Sequence, residues 1–126
     1  MTKSEKIYNL EERTAKFGED IILFCKSVRQ DNINKSILNQ LIRSGASVGA
    51  NYCETDGAES GKDFKHKIAI CKKEAKETKH WLRMITKTNS EKTKECRILW
   101  QEVQELTLIF SAILLSKNKK KEKFDI

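Results

Sequence analysis

Apolar residues recur along this chain in steps of four and three. Leu10, Thr14, Phe17, Ile21, Phe24 and Val28 form one run, and Leu38, Leu41, Gly45, Val48 and Tyr52 a second. A third passes through Phe64, Ile68, Cys71, Ala75, Thr78, Leu82 and Ile85, and a fourth through Cys96, Leu99, Val103, Leu106, Phe110 and Ile113. This spacing holds one stripe on one side of an α-helix and favours shallow, left-handed crossing with a neighbour. The runs predict four helices, over residues 10–30, 34–56, 61–88 and 91–116, within a bundle spanning 9–116. Residues 1–8 precede it and a basic tail, 117–126, follows.

Starts and stops fall between the runs. Asn9 with Glu12 has the spacing of a capping box, Asp31-Asn32-Ile33-Asn34 is a short polar connection, and Asn89-Ser90 supplies the last break. Asp56-Gly57 suits a helix stop, and Ser60 with Asp63 a new N-cap. Connections this short make successive helices antiparallel, so the expected fold is all-α, an up-down-up-down four-helix bundle.

Composition agrees. The 126 residues include no proline, whereas all-β domains need frequent turn residues. No apolar run approaches the ~18–20 residues that cross a membrane, and no hydrophobic signal region follows the N-terminus. A cytoplasmic protein with no membrane partner is expected. Cys25, Cys53, Cys71 and Cys96 form no Cys-x-x-Cys pair and suit reduced, buried positions.

Four of the five glycines, Gly45, Gly49, Gly57 and Gly61, lie close together. They do not make a phosphate loop. The segment 57–63 is one residue short between its glycines, Asp63 replaces the metal-binding hydroxyl, and no strand precedes it. Gly45 and Gly49 instead suit close helix packing, and Gly57 and Gly61 a stop and restart. A di-iron site is also excluded by counting. Glu77-Thr78-Lys79-His80 has the Glu-x-x-His spacing, but His66 and His80, the chain's two histidines, share one helix and point about 200° away from its core stripe. No nucleophile elbow is recognisable. Neither enzyme activity, nor a cofactor, nor a metal is expected.

Charge adds a candidate surface. The net charge is +7. Lys65, Lys72, Lys76, Lys79 and Arg83 recur one position after the core stripe of the third helix, flanked by Lys62, His66, Lys73, His80 and Lys87. Glu74 and Glu77 fall on the opposite flank with Ile70 and Trp81. Lys117, Lys119, Lys120 and Lys121 extend the charge into a flexible cationic tail. Lysine contacts of this kind would hold RNA or DNA by its phosphates, salt-sensitively and with little sequence preference. Ile42, Ile70, Trp81, Met84, Ile98, Trp100, Leu108 and Leu115 lie wholly or partly off the seams. Wider bundle stripes account for some of them, and a second buried face against another copy for the rest.

The stretch LIRSGASVGANYCETDGAESGKDFKHKIAICKKEAKETKHWLRMI resembles the signature of small bacterial four-helix-bundle proteins encoded inside 23S rRNA intervening sequences. Accessory variability proteins of diversity-generating retroelements are included in that family. The resemblance runs from about Asn9 to Ser116 and is strongest from Leu41 to Ile85. It rests on the Arg-Ser-Gly-Ala-Ser-Val-Gly-Ala-Asn and Lys-Glu-Ala-Lys-Glu-Thr-x-x-Trp-Leu runs. It implies a ring-shaped homopentamer and, in the retroelement branch, a basic outer surface that contacts nucleic acid and a reverse transcriptase. Its motif positions here are Arg43, Ser44, Gly45, Gly49, Asn51, Glu54, Gly57, Ser60, Phe64, Glu74, Glu77, Trp81 and Leu82. None carries a catalytic role in the family. Arg43, Asn51, Glu54, Glu74, Glu77 and Trp81 are candidates for polar contacts within or between protomers that fix helix register. The leading expectation is therefore a non-enzymatic, homo-oligomeric nucleic-acid-binding protein. The alternative is an adaptor that holds a protein partner such as a reverse transcriptase.

Overall fold

The computed structural model describes residues 9–124, with side chains through 116. Four α-helices occur among them: α1 (Leu10–Ser27), α2 (Asn32–Cys53), α3 (Gly61–Thr88) and α4 (Thr93–Phe124). Short 3-10 turns, Glu54–Gly57 and Ser90–Lys92, lead out of α2 and into α4. The helices run antiparallel in sequence, as cross-contacts show. Gly49 meets Thr14 and Gly45 meets Ile21, while Arg43 reaches Glu77 and Glu54 reaches Lys67. The fold is the four-helix bundle that the heptad runs predict.

Helix ends differ from the expected ones where local hydrogen bonding overrides periodicity. Val28 turns extended, at φ −89° and ψ 141°, and ends α1 before residue 30. The Gln30 amide then donates to the Cys25 and Val28 carbonyls at 3.3 and 2.9 Å, satisfying the open helix end. Asn9 makes no side-chain cap, so the expected capping box with Glu12 is absent. Asp31 caps α2 instead, its carboxylate accepting from the Asn34 N–H at 2.8 Å. Ser60 and Asp63 do pair as a box: Asp63 N–H donates to Ser60 Oγ at 3.0 Å, and Glu59 N–H to Asp63 Oδ2 at 3.2 Å. The backbone of α4 stays helical through Phe124, where a flexible tail was expected from residue 117. The lysines and Glu122 of this segment carry good helix propensity.

The four seams converge on one core. Phe17, Ile21, Leu41, Val48, Ile68, Leu82, Ile85, Val103, Leu106 and Phe110 are essentially sealed from solvent, each large side chain contributing about 1.5–3 kcal/mol by burial. At the α1–α2 crossing the small residues act directly. A Cβ on Gly49 would stand 3.2 Å from the Thr14 backbone, and one on Gly45 would stand 3.0 Å from Ile21 side-chain atoms. Gly18, which the heptad reading left unexplained, completes the crossing, 3.5 Å from Ala46 Cα by the same construction. Gly57 and Gly61 neither exclude a side chain nor take a positive φ. A stop requiring glycine's left-handed freedom is therefore not what places them there.

At one end of the bundle two buried amides join the connections. Asn34 Nδ2 donates to Asn89 Oδ1 at 3.1 Å, and Asn89 Nδ2 returns a bond to Asn34 Oδ1 at 2.9 Å. Thr88 Oγ donates to the same Asn34 oxygen at 2.9 Å. The remaining amide hydrogens go to the Arg29 and Ile85 carbonyls, so this buried cluster is satisfied. The α1–α4 seam is the sparser one and is bridged by Arg13, whose Nε and Nη2 donate to Glu102 at 2.8 and 2.7 Å.

The expectation that no segment could span a membrane is corrected for α4. Ser90–Ser116 is long and apolar enough by length and composition. The reason is that α4 is apolar on its core seam and again at Ile98, Leu108 and Leu115 outside it. Glu102, in the middle of that segment, is ion-paired to Arg13, and its seam residues fill the bundle core.

Candidate functional site

Helix α3 carries nine Lys or Arg against three Asp or Glu, a net charge of +6. All three acids are engaged locally. Asp63 belongs to the N-terminal box. Glu74 and Glu77 lie toward α2, where Arg43 Nη1 reaches Glu74 at 3.2 Å and Arg43 Nη2 pairs with Glu77. Trp81 Nε1 donates to the same Glu77 carboxylate at 3.3 Å. The sequence candidates Arg43, Glu74, Glu77 and Trp81 are thus brought together as one clamp across α2 and α3. It is not buried, since the Arg43 side chain is 48% exposed. Its hydrogen bonds hold the Glu77 carboxyl below the ordinary range, and Glu77 pushes the Arg43 guanidinium further up.

The opposite flank of α3, facing α4, has a different chemistry. Lys79 Nζ donates to Gln104 Oε1 at 2.6 Å and lies 5.3 Å from the Trp100 ring centroid. Lys72, Lys76, Arg83 and Lys87 form no ion pair with another described residue. Lys65 and Lys73 belong to the same broad surface, with Lys65 half-buried and Lys73 exposed beside Glu77. A run of basic side chains is therefore left facing solvent on one side of the helix, while its acids are consumed on the other.

Two open grooves border α4. One, between α3 and α4, has a volume of about 320 Å³ and is lined by Leu82, Arg83, Thr86, Thr93, Cys96, Arg97 and Trp100, none of them acidic. The other, between α1 and α4, is about 550 Å³ but carries both signs of charge, with Asp20, Glu102 and Glu105 beside Arg13, Lys16 and Arg97. Its Arg13 guanidinium is already committed to Glu102 and Glu105. The larger groove is therefore the poorer anion site.

Other sequence candidates are placed apart. Asn51 Nδ2 donates to the Ser47 carbonyl of its own helix at 2.8 Å, and Glu54 makes a surface pair with Lys67 at 3.2 Å. Neither joins the Arg43 cluster. The side chains of Lys117, Lys119, Lys120 and Lys121 lie outside the described residues. His66 and His80 are exposed, and His80 meets Trp81 edge-on with ring centroids 4.8 Å apart. Cys53 is exposed rather than buried, because it ends α2 outside the seam. Burial pushes the Cys25 and Cys71 thiols up to about 12, and raises Cys96 as well.

Of the off-seam apolar residues, Ile42, Ile70, Trp81 and Met84 are half-buried within the bundle, whereas Ile98, Trp100, Leu108 and Leu115 on α4 are exposed. Arg13 and Glu102 were not singled out by sequence, and Asn34 and Asn89 were read only as parts of connections. Their partners lie 89 and 55 residues away, and no periodicity connects them.

A crystal structure of a protein of unknown function from the S23 ribosomal protein family of Bacteroides thetaiotaomicron VPI-5482 has the same fold. The two share 26% sequence identity at a TM-score of 0.75, over 86% of this chain and 97% of that one. No curated protein matches the chain. Residues 6–112 match the sequence profile described as 23S rRNA-intervening sequence protein, and the chain belongs to that family.

Proposed function

We propose that this chain is a non-enzymatic protein that binds RNA or DNA along the phosphate backbone through the α4-facing flank of α3. One observation carries the reading: the acids of α3 are taken up by Arg43 and the N-terminal box, while the exposed Lys76 and Arg83 and the half-buried Lys72 have no carboxylate partner among the described residues. Cations free of internal partners release counterions from a polyanion at no cost in broken ion pairs. Lys65, Lys73, Lys79 and Lys87 widen the same surface, and the lysines after residue 116 add to the charge of the chain. Replacing Lys72, Lys76 and Lys79 together by Glu should abolish the mobility shift of a labelled RNA at low salt. Retained binding, or a wild-type affinity indifferent to salt, overturns the reading.

A second reading, a scaffold for protein partners or further copies of itself, is favoured by the exposed Ile98, Leu108 and Leu115 of α4, which are 64, 58 and 61% exposed. Apolar side chains on one outer helix face gain by being covered. Under this reading, light scattering at micromolar concentration gives a multiple of the chain mass, and an Ile98→Glu, Leu108→Glu variant reverts to a monomer. A wild-type monomer removes self-association, including the pentamer implied by family resemblance. A partner recovered after nuclease treatment favours the adaptor role.

A further inference from the structure

The groove between α3 and α4 combines features that a phosphate-binding helix face does not need. Its floor is apolar, formed by the buried Leu82 and Cys96. Its wall is the indole of Trp100, 40% exposed, whereas the other tryptophan, Trp81, is half-buried and hydrogen-bonded to Glu77. Its rim holds Arg83 and Arg97, both exposed and neither ion-paired to a described residue. The hydroxyls of Thr86 and Thr93 donate to the Leu82 and Ser90 carbonyls at 2.8 and 2.6 Å, so donors toward a ligand come from the two guanidinium groups.

We propose that this groove receives an unpaired nucleobase of a single-stranded nucleic acid, stacked against the exposed part of Trp100, with Arg83 and Arg97 on the flanking phosphates. The proposal rests on the nucleic-acid reading above and narrows it from any polyanion to single strands. Charge complementarity selects this occupant. A solely apolar partner would strand two guanidiniums, and an acidic peptide would leave the exposed indole without a stacking partner. Bases inside a duplex are stacked on each other and offer no face to Trp100. An unpaired base offers its whole π-face, and any base will serve. Lys79 Nζ already lies over one face of the Trp100 ring, so the base takes the face that Lys79 leaves open.

The test uses a Trp81→Phe protein, in which Trp100 is the sole indole. It is titrated at fixed low salt with a uridine oligonucleotide, and separately with the same oligonucleotide annealed to its complement. The single strand should quench Trp100 fluorescence and the duplex should not. Trp100→Ala should weaken single-strand binding roughly five- to hundred-fold while leaving duplex affinity nearly unchanged, and Trp100→Phe should recover part of the loss. A wild-type single-strand affinity in Trp100→Ala, or saturable binding with Trp100 fluorescence unmoved, overturns the stacking site and leaves backbone binding intact. Binding to neither nucleic acid overturns both. If Trp100→Ala fails to fold, the quenching experiment alone decides.

Discussion

The two flanks of α3 have similar helical surroundings and opposite chemistry. Toward α2, the carboxylates of Glu74 and Glu77 meet Arg43, and Glu77 also accepts from Trp81. Charge there is cancelled and the tryptophan is half-buried. Toward α4, lysines and Arg83 face a neutral Gln104 and an exposed Trp100, and charge is left over. One flank spends its polar groups on joining helices, and the other holds them available. A basic helix thus does not present its charge uniformly. What matters is which side of it the rest of the fold neutralises.

The largest expected effect separates the flanks by function. Lys72→Glu, Lys76→Glu and Lys79→Glu together should cost roughly a hundredfold or more in RNA affinity and leave the melting temperature within a few degrees. Lys67→Glu, on the α2 flank beside Glu54, should change affinity far less. An equal loss from both would mean that net charge, not the flank, governs binding.

A disturbance of the shared framework should lower stability without altering binding preference. Asn34→Ala breaks the amide cluster that joins both bundle connections and strands Asn89 in a buried site. Chemical denaturation should show a loss of about 1–3 kcal/mol, with unchanged RNA affinity in the folded protein. Glycine substitutions probe the crossing that positions α2. Gly49→Ala pushes against backbone at Thr14 and should be destabilising by about 1–3 kcal/mol. Gly45→Ala meets the branch-point carbons of the buried, χ1-restricted Ile21 and should be destabilising as well, offset by up to ~1 kcal/mol of regained helix propensity.

Breaking the α2 flank itself should cost least. Arg43→Ala should lower stability by no more than about 1 kcal/mol, because the Arg43 side chain is about half exposed. Its pH dependence identifies the partner. The Glu77 carboxyl is held low in the folded state, so its contribution is present above the unfolded carboxylate pKa and is lost as pH falls through the depressed folded value. Thermal melts of wild type and Arg43→Ala should therefore converge at acid pH. A gap that persists there would assign the Arg43 effect to packing of its stem.

Much of this was legible in advance. Period alone placed Phe17, Leu41, Leu82 and Phe110 on core seams, and all four are buried. The division of α3 into acidic and basic flanks also follows from helical spacing, since Glu74 and Glu77 lie on the opposite side from Lys72 and Lys79. The missed features are those in which the partner is remote. Asn9 looked like a cap by spacing yet makes no cap bond, whereas Asp31, read only as part of a connection, does. Trp100 was an off-seam apolar residue by pattern, and only its neighbours Lys79, Arg83 and Arg97 give it a role.

By itself, then, the sequence determined four antiparallel helices, their buried stripes and the charge carried by each face, because these depend on local periodicity. Tertiary structure decided which charges are cancelled, where two buried amides meet, and which tryptophan stays open. Those outcomes depend on side chains 31 to 89 residues apart arriving at one place. No local rule encodes the distance between them; the packing of the helices sets it.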